Sequence, residues 1–114
     1  MRIEHLIAGK PMAARDYFTT LNPATQEVLA EVARGGAIEV NAAVAAAKAA
    51  FPAWAALAPA QRAAIMRRLG DLIARHVDEI ALTETRDTGQ AIAQTGKQLI
   101  PRVADNFYYF AEMC

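Results

Sequence analysis

The hydrophobic pattern of this chain changes its period near residue 37, and that change separates two kinds of structure. Before it, short runs rich in aromatic and β-branched residues alternate with turn residues, as is typical of strands. After it, apolar residues recur at spacings of three and four, as they do along one face of a helix. We therefore expect strands and turns over residues 1–36 and helices over residues 37–114.

The first part contains three predicted strands, which cover residues 5–8, 17–21 and 28–32. A glycine, a lysine and a proline at 9–11 are predicted to turn the chain after the first strand. The dipeptide that begins at Asn22 is of the kind that starts a turn, and it separates the other two strands. The pattern therefore predicts a β-hairpin region ahead of the helices.

Prolines and a glycine mark the predicted helix boundaries in the second part of the chain. Phe51-Pro52 is predicted to close the first helix, because a proline disfavours helical geometry in the residue before it. Pro59 suits the first turn of the next helix, Gly89 is a plausible cap at the end of the third, and Pro101 either starts or kinks the last. The residues predicted to form the inward faces are Val40, Ala43, Val44, Ala47, Ile65, Leu69, Leu72, Ile73, Val77, Ile80, Ala81, Ile100, Val103, Ala104, Phe107 and Ala111.

Alanine supplies much of the hydrophobic content and limits the core that these helices can build. Hydrophobic residues make up 54% of the 114 residues, and 27 residues are alanine, which favours helix but buries little surface. A chain of this length that folds alone buries roughly two thirds of the surface of its unfolded form. We therefore interpret the helices as a layer that packs against something else. An unrelated alanine-rich bundle is the alternative, and the strand and turn segments at the N-terminal end argue against it.

Charge and cysteine content exclude several classes of protein. The 12 basic and 12 acidic residues give a formal net charge of zero, which argues against a nucleic-acid binder and against a polybasic membrane-surface protein. The apolar stretch over 37–57 contains Glu39, Lys48 and Pro52, so it is not expected to cross a membrane. The single cysteine, Cys114, permits no intramolecular disulfide, and the N-terminal end shows no signal peptide. We expect a cytoplasmic protein.

No pattern in the chain indicates a catalytic centre. Phosphate-binding glycine loops, paired-cysteine motifs and zinc-protease motifs are all missing, and His5 and His76 lack the spacing of metal ligands. Cys114 follows a predicted helix, whose C-terminal dipole disfavours the thiolate that a nucleophile needs. The aromatic run 107–110 has no basic residues between its rings, so base stacking is a weak interpretation. We expect no catalytic and no cofactor-binding residue in this chain.

The order of several segments gives the most specific signal. The chain reads HLIAGK over 5–10, TLNPATQEV over 20–28, VNAAVAAAKAAFPAW over 40–54, ETRDTG over 84–89 and FYYFA over 107–111. This series resembles the start of the aldehyde dehydrogenase superfamily over nearly the whole chain. Segments 22–32, 66–70, 99–102 and 106–114 are most similar to members that oxidise a carboxylate-bearing semialdehyde in the breakdown of aromatic compounds.

The resemblance implies a fold, and it implies which functional residues lie outside this chain. It implies a mainly α chain with an N-terminal β-hairpin region, forming an incomplete, N-terminal part of an α/β, Rossmann-like cofactor domain. It also implies that the catalytic cysteine, the glutamate base, the oxyanion asparagine and the nucleotide-binding loops lie in the remainder of the dehydrogenase chain. NAD or NADP would serve the full-length enzyme, which is expected to be a homo-oligomer. The 114 residues alone are expected to bind no cofactor and to be inactive.

Two further sites are carried over from the resemblance. Thr20 and Leu21 would offer main-chain carbonyls, and Asp87 a carboxylate, to Na⁺ or K⁺, whose hardness suits oxygen ligands. The alternative is that Asp87 only caps a turn. Arg102 would face the substrate tunnel and bind a substrate carboxylate through two parallel hydrogen bonds. The alternative is an arginine that points to solvent or pairs with Asp105.

A second hypothesis for the whole chain is a stand-alone helical interaction module without catalytic activity, descended from the same segment. The two hypotheses differ in whether a nucleotide-binding segment follows Cys114 in the same polypeptide.

Overall fold

The computed structural model describes all residues, 1–114, and places five short strands ahead of the helices. The strands are β1 (Arg2–Ile3), β2 (His5–Ile7), β3 (Lys10–Met12), β4 (Tyr17–Leu21) and β5 (Val28–Ala33). The helices are α1 (Ala37–Ala56), α2 (Pro59–Arg75), α3 (Val77–Thr88), α4 (Ile92–Gln94) and α5 (Ile100–Ala111), with a π-helical turn at Thr95–Leu99. The chain divides into two compact units, Met1–Ala56 and Leu57–Cys114. The fold is thus mainly helical with an N-terminal β-hairpin region, as expected.

Strands β4 and β5 form an antiparallel hairpin, and the turn predicted at Asn22 joins them. The Asn22 side chain accepts a hydrogen bond from the N–H of Ala24 at 2.9 Å, and the Asn22 N–H donates to the Glu27 carbonyl at 2.9 Å. Gln26 has a positive φ of 63°, which completes the reversal. Strand β1, which the sequence pattern does not predict, pairs in parallel with β5 over two residues. Such a short strand has no alternation to detect.

The turn predicted at residues 9–11 is wrong in its last two positions. Ala8 and Gly9 form the turn, with φ of 53° and 73°, and Lys10 and Pro11 belong to β3. Two central residues with positive φ make the tight hairpin that fits the twist of two antiparallel strands. In such a hairpin the pair next to the turn exchanges hydrogen bonds and the following pair does not, and Pro11 lies opposite Leu6 in that following pair. Proline therefore loses no bond of the ladder.

Helix α1 is longer than predicted, and Pro52 lies inside it instead of closing it. The helix contains no buried residue, so its predicted inward face is exposed, with Val40 and Val44 at 59% and 48%. Residues 47–56 are all exposed, so water can bond the carbonyl that the proline leaves without a donor. At the other end the Glu39 carboxylate accepts a hydrogen bond from the Gly36 N–H at 2.7 Å. That bond satisfies a donor at the helix N-terminus.

The predicted start of α2 and the predicted end of α3 are confirmed. Pro59 is the first residue of α2, and the Gln61 side chain accepts a hydrogen bond from the Ala58 N–H at 3.1 Å. Gly89 ends α3 in the left-handed conformation, with φ of 78°, and its N–H donates to the Thr85 carbonyl at 2.9 Å. Glycine adopts this conformation without the steric cost that a Cβ would bring.

Helix α2 packs on α5 through small residues, which corrects the predicted inward face of α2. Ile65, Leu69 and Leu72 are between 41% and 50% exposed, whereas Ala63 and Gly70 are buried. A Cβ added to Gly70 would lie 2.6 Å from Cε1 of Tyr108, so only glycine leaves room for that ring. The close approach of the two helices therefore selects the narrow face of α2 and leaves the large residues outside. Val77, predicted to continue the same face, belongs to α3 beyond His76.

The buried hydrophobic core is small, as the alanine content indicates. It consists of Ala30, Ala33, Ala63, Ala81, Ile100, Ala104 and Ala111. Large apolar residues such as Phe51, Phe110 and Met113 are more than half exposed. No single helix has the length and apolar character needed to cross a membrane, although α1 and α2 meet that test when they are counted together.

Candidate functional site

Arg102 lies in the first turn of α5, directly after Pro101, and its side chain is exposed. The ion pairs of the chain include Arg34 with Asp16 and Arg67 with Glu112. Arg102 forms no ion pair with Asp105, and its side chain is exposed to solvent. The neighbouring Val103 is 38% exposed, which differs from its predicted place on the inward face.

The rest of α5 is held by directional contacts with α2. The Tyr108 hydroxyl donates a hydrogen bond to Asp71 at 2.9 Å while its ring covers Gly70. This hydrogen bond raises the pKa of Tyr108 above its usual value, and burial and the negative charge of Asp71 act in the same direction. Near the end of the helix, Arg67 binds the Glu112 carboxylate at 2.6 Å. These contacts fix the position of α5 along α2.

A π-helical turn precedes α5 and sets the direction of its side chains. The Ile100 N–H donates to the Thr95 carbonyl, five residues earlier, instead of the carbonyl four residues earlier. Pro101 follows with no N–H to donate, so it starts α5 instead of bending it. The buried positions follow the same wide spacing, with Thr95 at 0% and Ile100 at 6% exposed. Ile100, Ala104 and Ala111 then form the buried face, as predicted.

Two threonine hydroxyls meet beneath this turn. Thr95 has the largest fully buried side chain of the protein, and its Oγ1 lies 2.8 Å from Oγ1 of Thr85 in α3. Thr95 Oγ1 also donates to the Ile92 carbonyl at 3.2 Å. A hydroxyl carries a single proton, so both contacts are satisfied when Thr85 donates to Thr95 and Thr95 donates to Ile92. Neither threonine was singled out from the sequence, because no spacing rule marks a bond across ten residues.

The residues predicted to bind a monovalent cation come from different parts of the fold. Thr20 and Leu21 lie at the end of β4, where the register with β5 is irregular, and both belong to the first unit. Asp87 is exposed in the last turn of α3, in the second unit. No group of three or more His, Cys, Asp or Glu side chains comes together as a metal site. A site of the predicted kind would instead use main-chain oxygens with a single carboxylate.

Cys114 and His76 have ordinary structural partners, whereas Nε2 of His5 is buried without a hydrogen-bond partner. Cys114 Sγ lies 3.6 Å from both the Met66 sulfur and the Phe110 carbonyl. His76 Nδ1 lies 3.1 Å from the Glu79 carboxylate on the surface. The partners of Cys114 include no base of the kind that activates a nucleophile.

Gly35 and Gly36 are the glycine pair that precedes a helix, and they do not fit a phosphate. The Gly36 N–H is already bonded to the Glu39 carboxylate, which occupies the position that an anion would need. A negative charge there would also repel a pyrophosphate. The polar groups of this turn therefore serve the helix and not a nucleotide.

Comparisons with known proteins agree with the fold. Residues 11–114 match the model of the aldehyde dehydrogenase family. The 5-carboxymethyl-2-hydroxymuconate semialdehyde dehydrogenase of Escherichia coli is 58% identical over 113 residues, which are 99% of this chain and 24% of that protein. The crystal structure of HpcC from Thermus thermophilus has a TM-score of 0.92 at 38% identity and covers 98% of this chain and 22% of its own. An NAD⁺ complex of an aldehyde dehydrogenase from Bacillus cereus has a TM-score of 0.93 at 34% identity, covering 98% and 24%.

The chain therefore spans about a quarter of the length of the curated relatives it matches. The family match extends over the hairpin β4–β5, all the helices and the π-helical turn, and the structural matches cover the same elements. On these grounds the chain belongs to the aldehyde dehydrogenase family.

Proposed function

We propose that this chain is the N-terminal part of an NAD(P)-dependent aldehyde dehydrogenase that oxidises a carboxylate-bearing semialdehyde of aromatic catabolism to the acid. The observation that carries the proposal is the 58% identity to the Escherichia coli semialdehyde dehydrogenase over 99% of the chain. The NAD⁺ complex of the Bacillus cereus relative supports NAD as the cofactor. When bound, the cofactor accepts the hydride of the aldehyde.

In this proposal the chain is the first, incomplete part of a Rossmann-like cofactor domain, and its role is that of a scaffold. The large exposed residues of α1 and α2, such as Val44, Phe51, Leu69 and Leu72, would pack against the remainder of the dehydrogenase chain. The Gly35-Gly36 turn does not fit a phosphate, so the nucleotide-binding groups are assigned to that remainder. The intact enzyme is a cytoplasmic homo-oligomer that binds neither nucleic acid nor membrane.

The chain by itself is expected to be inactive. It offers no nucleophile with an adjacent base and no cradle for NAD. Purified chain mixed with NAD and an aldehyde should give no rise in absorbance at the NADH wavelength. The full-length dehydrogenase should give a rate that depends on both reagents.

A stand-alone helical interaction module is the competing function. The apolar faces of such a module would need no further chain to cover them. The purified chain should then sediment as a compact monomer and bind no hydrophobic dye. The fragment proposal instead expects association and dye binding through the exposed faces.

Arg102 is proposed to bind the substrate carboxylate in the full-length enzyme. Its exposed guanidinium forms no pair with Asp105, so it remains free for two charge-assisted hydrogen bonds. Removing one contact of roughly 1.5–3 kcal/mol in Arg102→Leu should lower kcat/KM for the carboxylated semialdehyde by about ten- to a hundredfold. Activity on a neutral aliphatic aldehyde should hold or rise. An equal fall for both substrates would assign Arg102 a structural role.

Thr20, Leu21 and Asp87 are proposed to bind Na⁺ or K⁺ in the full-length enzyme, with a further ligand from the remainder of the chain. A main-chain and carboxylate oxygen set suits a hard monovalent cation. The stability of the wild-type enzyme should then rise with K⁺ concentration, and Asp87→Ala should remove that dependence. An unchanged K⁺ dependence in the variant would leave Asp87 as the cap of a turn.

A further inference from the structure

We infer that the hydroxyl pair of the buried Thr95 and the half-buried Thr85 is a positioning device: it holds the π-helical turn and thereby sets the direction in which Arg102 leaves α5. The inference rests on the proposed role of Arg102 in substrate selection. Neither threonine touches the substrate in this proposal, and both act through the backbone between them and Arg102.

The π-helical turn decides which way α5 faces. An α-helix advances about 100° per residue, so one extra residue in a turn displaces the following side chains by about that angle. If Thr95–Leu99 relaxed to ordinary α-helix, Ile100 would leave the interior or Arg102 would turn away from its present direction. The Ile100 N–H bond to the Thr95 carbonyl is therefore a direct marker of the state of the turn.

The hydroxyl pair anchors the turn at its first residue. Thr95 contributes the carbonyl that accepts the Ile100 N–H, and its own side chain bonds both Thr85 and the Ile92 carbonyl. A buried hydroxyl that loses its partners costs more than a surface one, so the pair holds Thr95 in one orientation. Thr85 lies in the last turn of α3, and its carbonyl accepts the capping N–H of Gly89. The pair thus joins the end of α3 to the start of the π-helical turn.

Pro101 explains why the turn needs an anchor. A proline at this position cannot donate to any carbonyl of the preceding turn, so the backbone before α5 lacks one of its usual bonds. π-helical turns in α-helices are rare and are found frequently at functional sites. The side-chain bonds of Thr95 instead hold the turn at its other end.

The test uses the full-length dehydrogenase and replaces the hydroxyl while keeping the shape of the side chain. Thr95→Val should lower the ratio of kcat/KM for a carboxylated semialdehyde to kcat/KM for a neutral aldehyde by about two- to thirtyfold. Amide exchange at Ile100 should become faster in the same variant. Thr95→Ser, which retains the hydroxyl, should restore both values. The matched control is Thr83→Val, since Thr83 bonds only the Glu79 carbonyl on the exposed side of α3, and it should change neither.

A double variant separates this inference from the role of Arg102. If Thr95 acts through Arg102, adding Thr95→Val to Arg102→Leu should not lower the ratio further. If Arg102→Leu alone leaves the ratio unchanged, the proposed role of Arg102 fails, and the exchange rate at Ile100 then decides whether the pair holds the turn. If Thr95→Val does not fold, Thr85→Val removes the partner hydroxyl and is measured in the same way.

Two results would overturn the inference. One is an unchanged ratio and unchanged Ile100 exchange in Thr95→Val while Arg102→Leu changes the ratio. The other is an equal loss of activity on both aldehydes with a lower melting temperature, which is the signature of a purely structural residue.

Discussion

Helices α1 and α5 are both rich in hydrophobic residues, but they lie in opposite environments. Helix α1 is 20 residues long and buries none of them, whereas α5 is 12 residues long and buries Ile100, Ala104 and Ala111. The difference does not come from hydrophobic content, because α1 carries Val40, Phe51 and Trp54. It comes from the packing partner. Helix α5 packs on α2 at Gly70, where the absence of a side chain leaves room for the Tyr108 ring. Apolar spacing along a helix therefore predicts a face that can be buried, while the partner decides whether it is.

The largest expected effect compares an isoleucine in each helix. Ile100 is 6% exposed and Ile38 in α1 is 59% exposed. Ile100→Ala should cost about 2–4 kcal/mol, because it removes buried carbons and leaves a cavity. Ile38→Ala should change stability by less than about 0.5 kcal/mol. Urea unfolding of the chain, followed by circular dichroism, measures both, and equal costs would mean that the face of α1 is packed after all.

The second expected effect concerns the two prolines of α1 and α2. Pro52 lies inside α1 and removes an interior hydrogen bond, whereas Pro59 occupies the first turn of α2, where its missing N–H costs nothing. Pro52→Ala should therefore slow amide exchange at Ala53–Ala56 on the order of ten- to a hundredfold. Pro59→Ala should leave the exchange of α2 almost unchanged. Fast exchange at Ala53–Ala56 in both the wild type and Pro52→Ala would show that α1 ends at Phe51.

Local sequence signals predicted the fold where one residue type is sufficient to determine the backbone. Gly89, Pro59 and Asn22 each act through a φ angle, a missing donor or a short side chain, and each lies where the pattern placed it. The predictions failed where two local preferences competed. Pro52 disfavours helix locally, but the alanine-rich sequence on both sides favours it, and the helix continues.

The inward face of α2 and the π-helical turn could not be predicted from spacing, because both depend on tertiary contacts. Gly70 is a poor helix residue by propensity. The reason for a glycine here is the ring of Tyr108, which lies where a Cβ would be too close. The Thr85–Thr95 bond is formed between segments that are separated by a helix end. Of the candidate site, the sequence offered Arg102, Thr20, Leu21 and Asp87 through family resemblance, and these assignments remain predictions.

The smallest expected effect is the pH dependence of the start of α1. The hydrogen bond from the Gly36 N–H, followed by the bond from the Glu39 N–H, holds the pKa of the Glu39 carboxyl below its usual value of 4.5. A lowered pKa in the folded state means that the ionised carboxylate stabilises the fold above pH 4.5, and that this contribution is lost as the pH falls below it.

Glu39→Gln keeps a hydrogen-bond acceptor but removes the charge that the helix N-terminus attracts. The variant should therefore melt slightly lower than the wild type at pH 7, and the difference should disappear on acidification. A difference for Glu39→Gln that stays constant down to about pH 3 would mean that shape, and not charge, is what Glu39 contributes to α1.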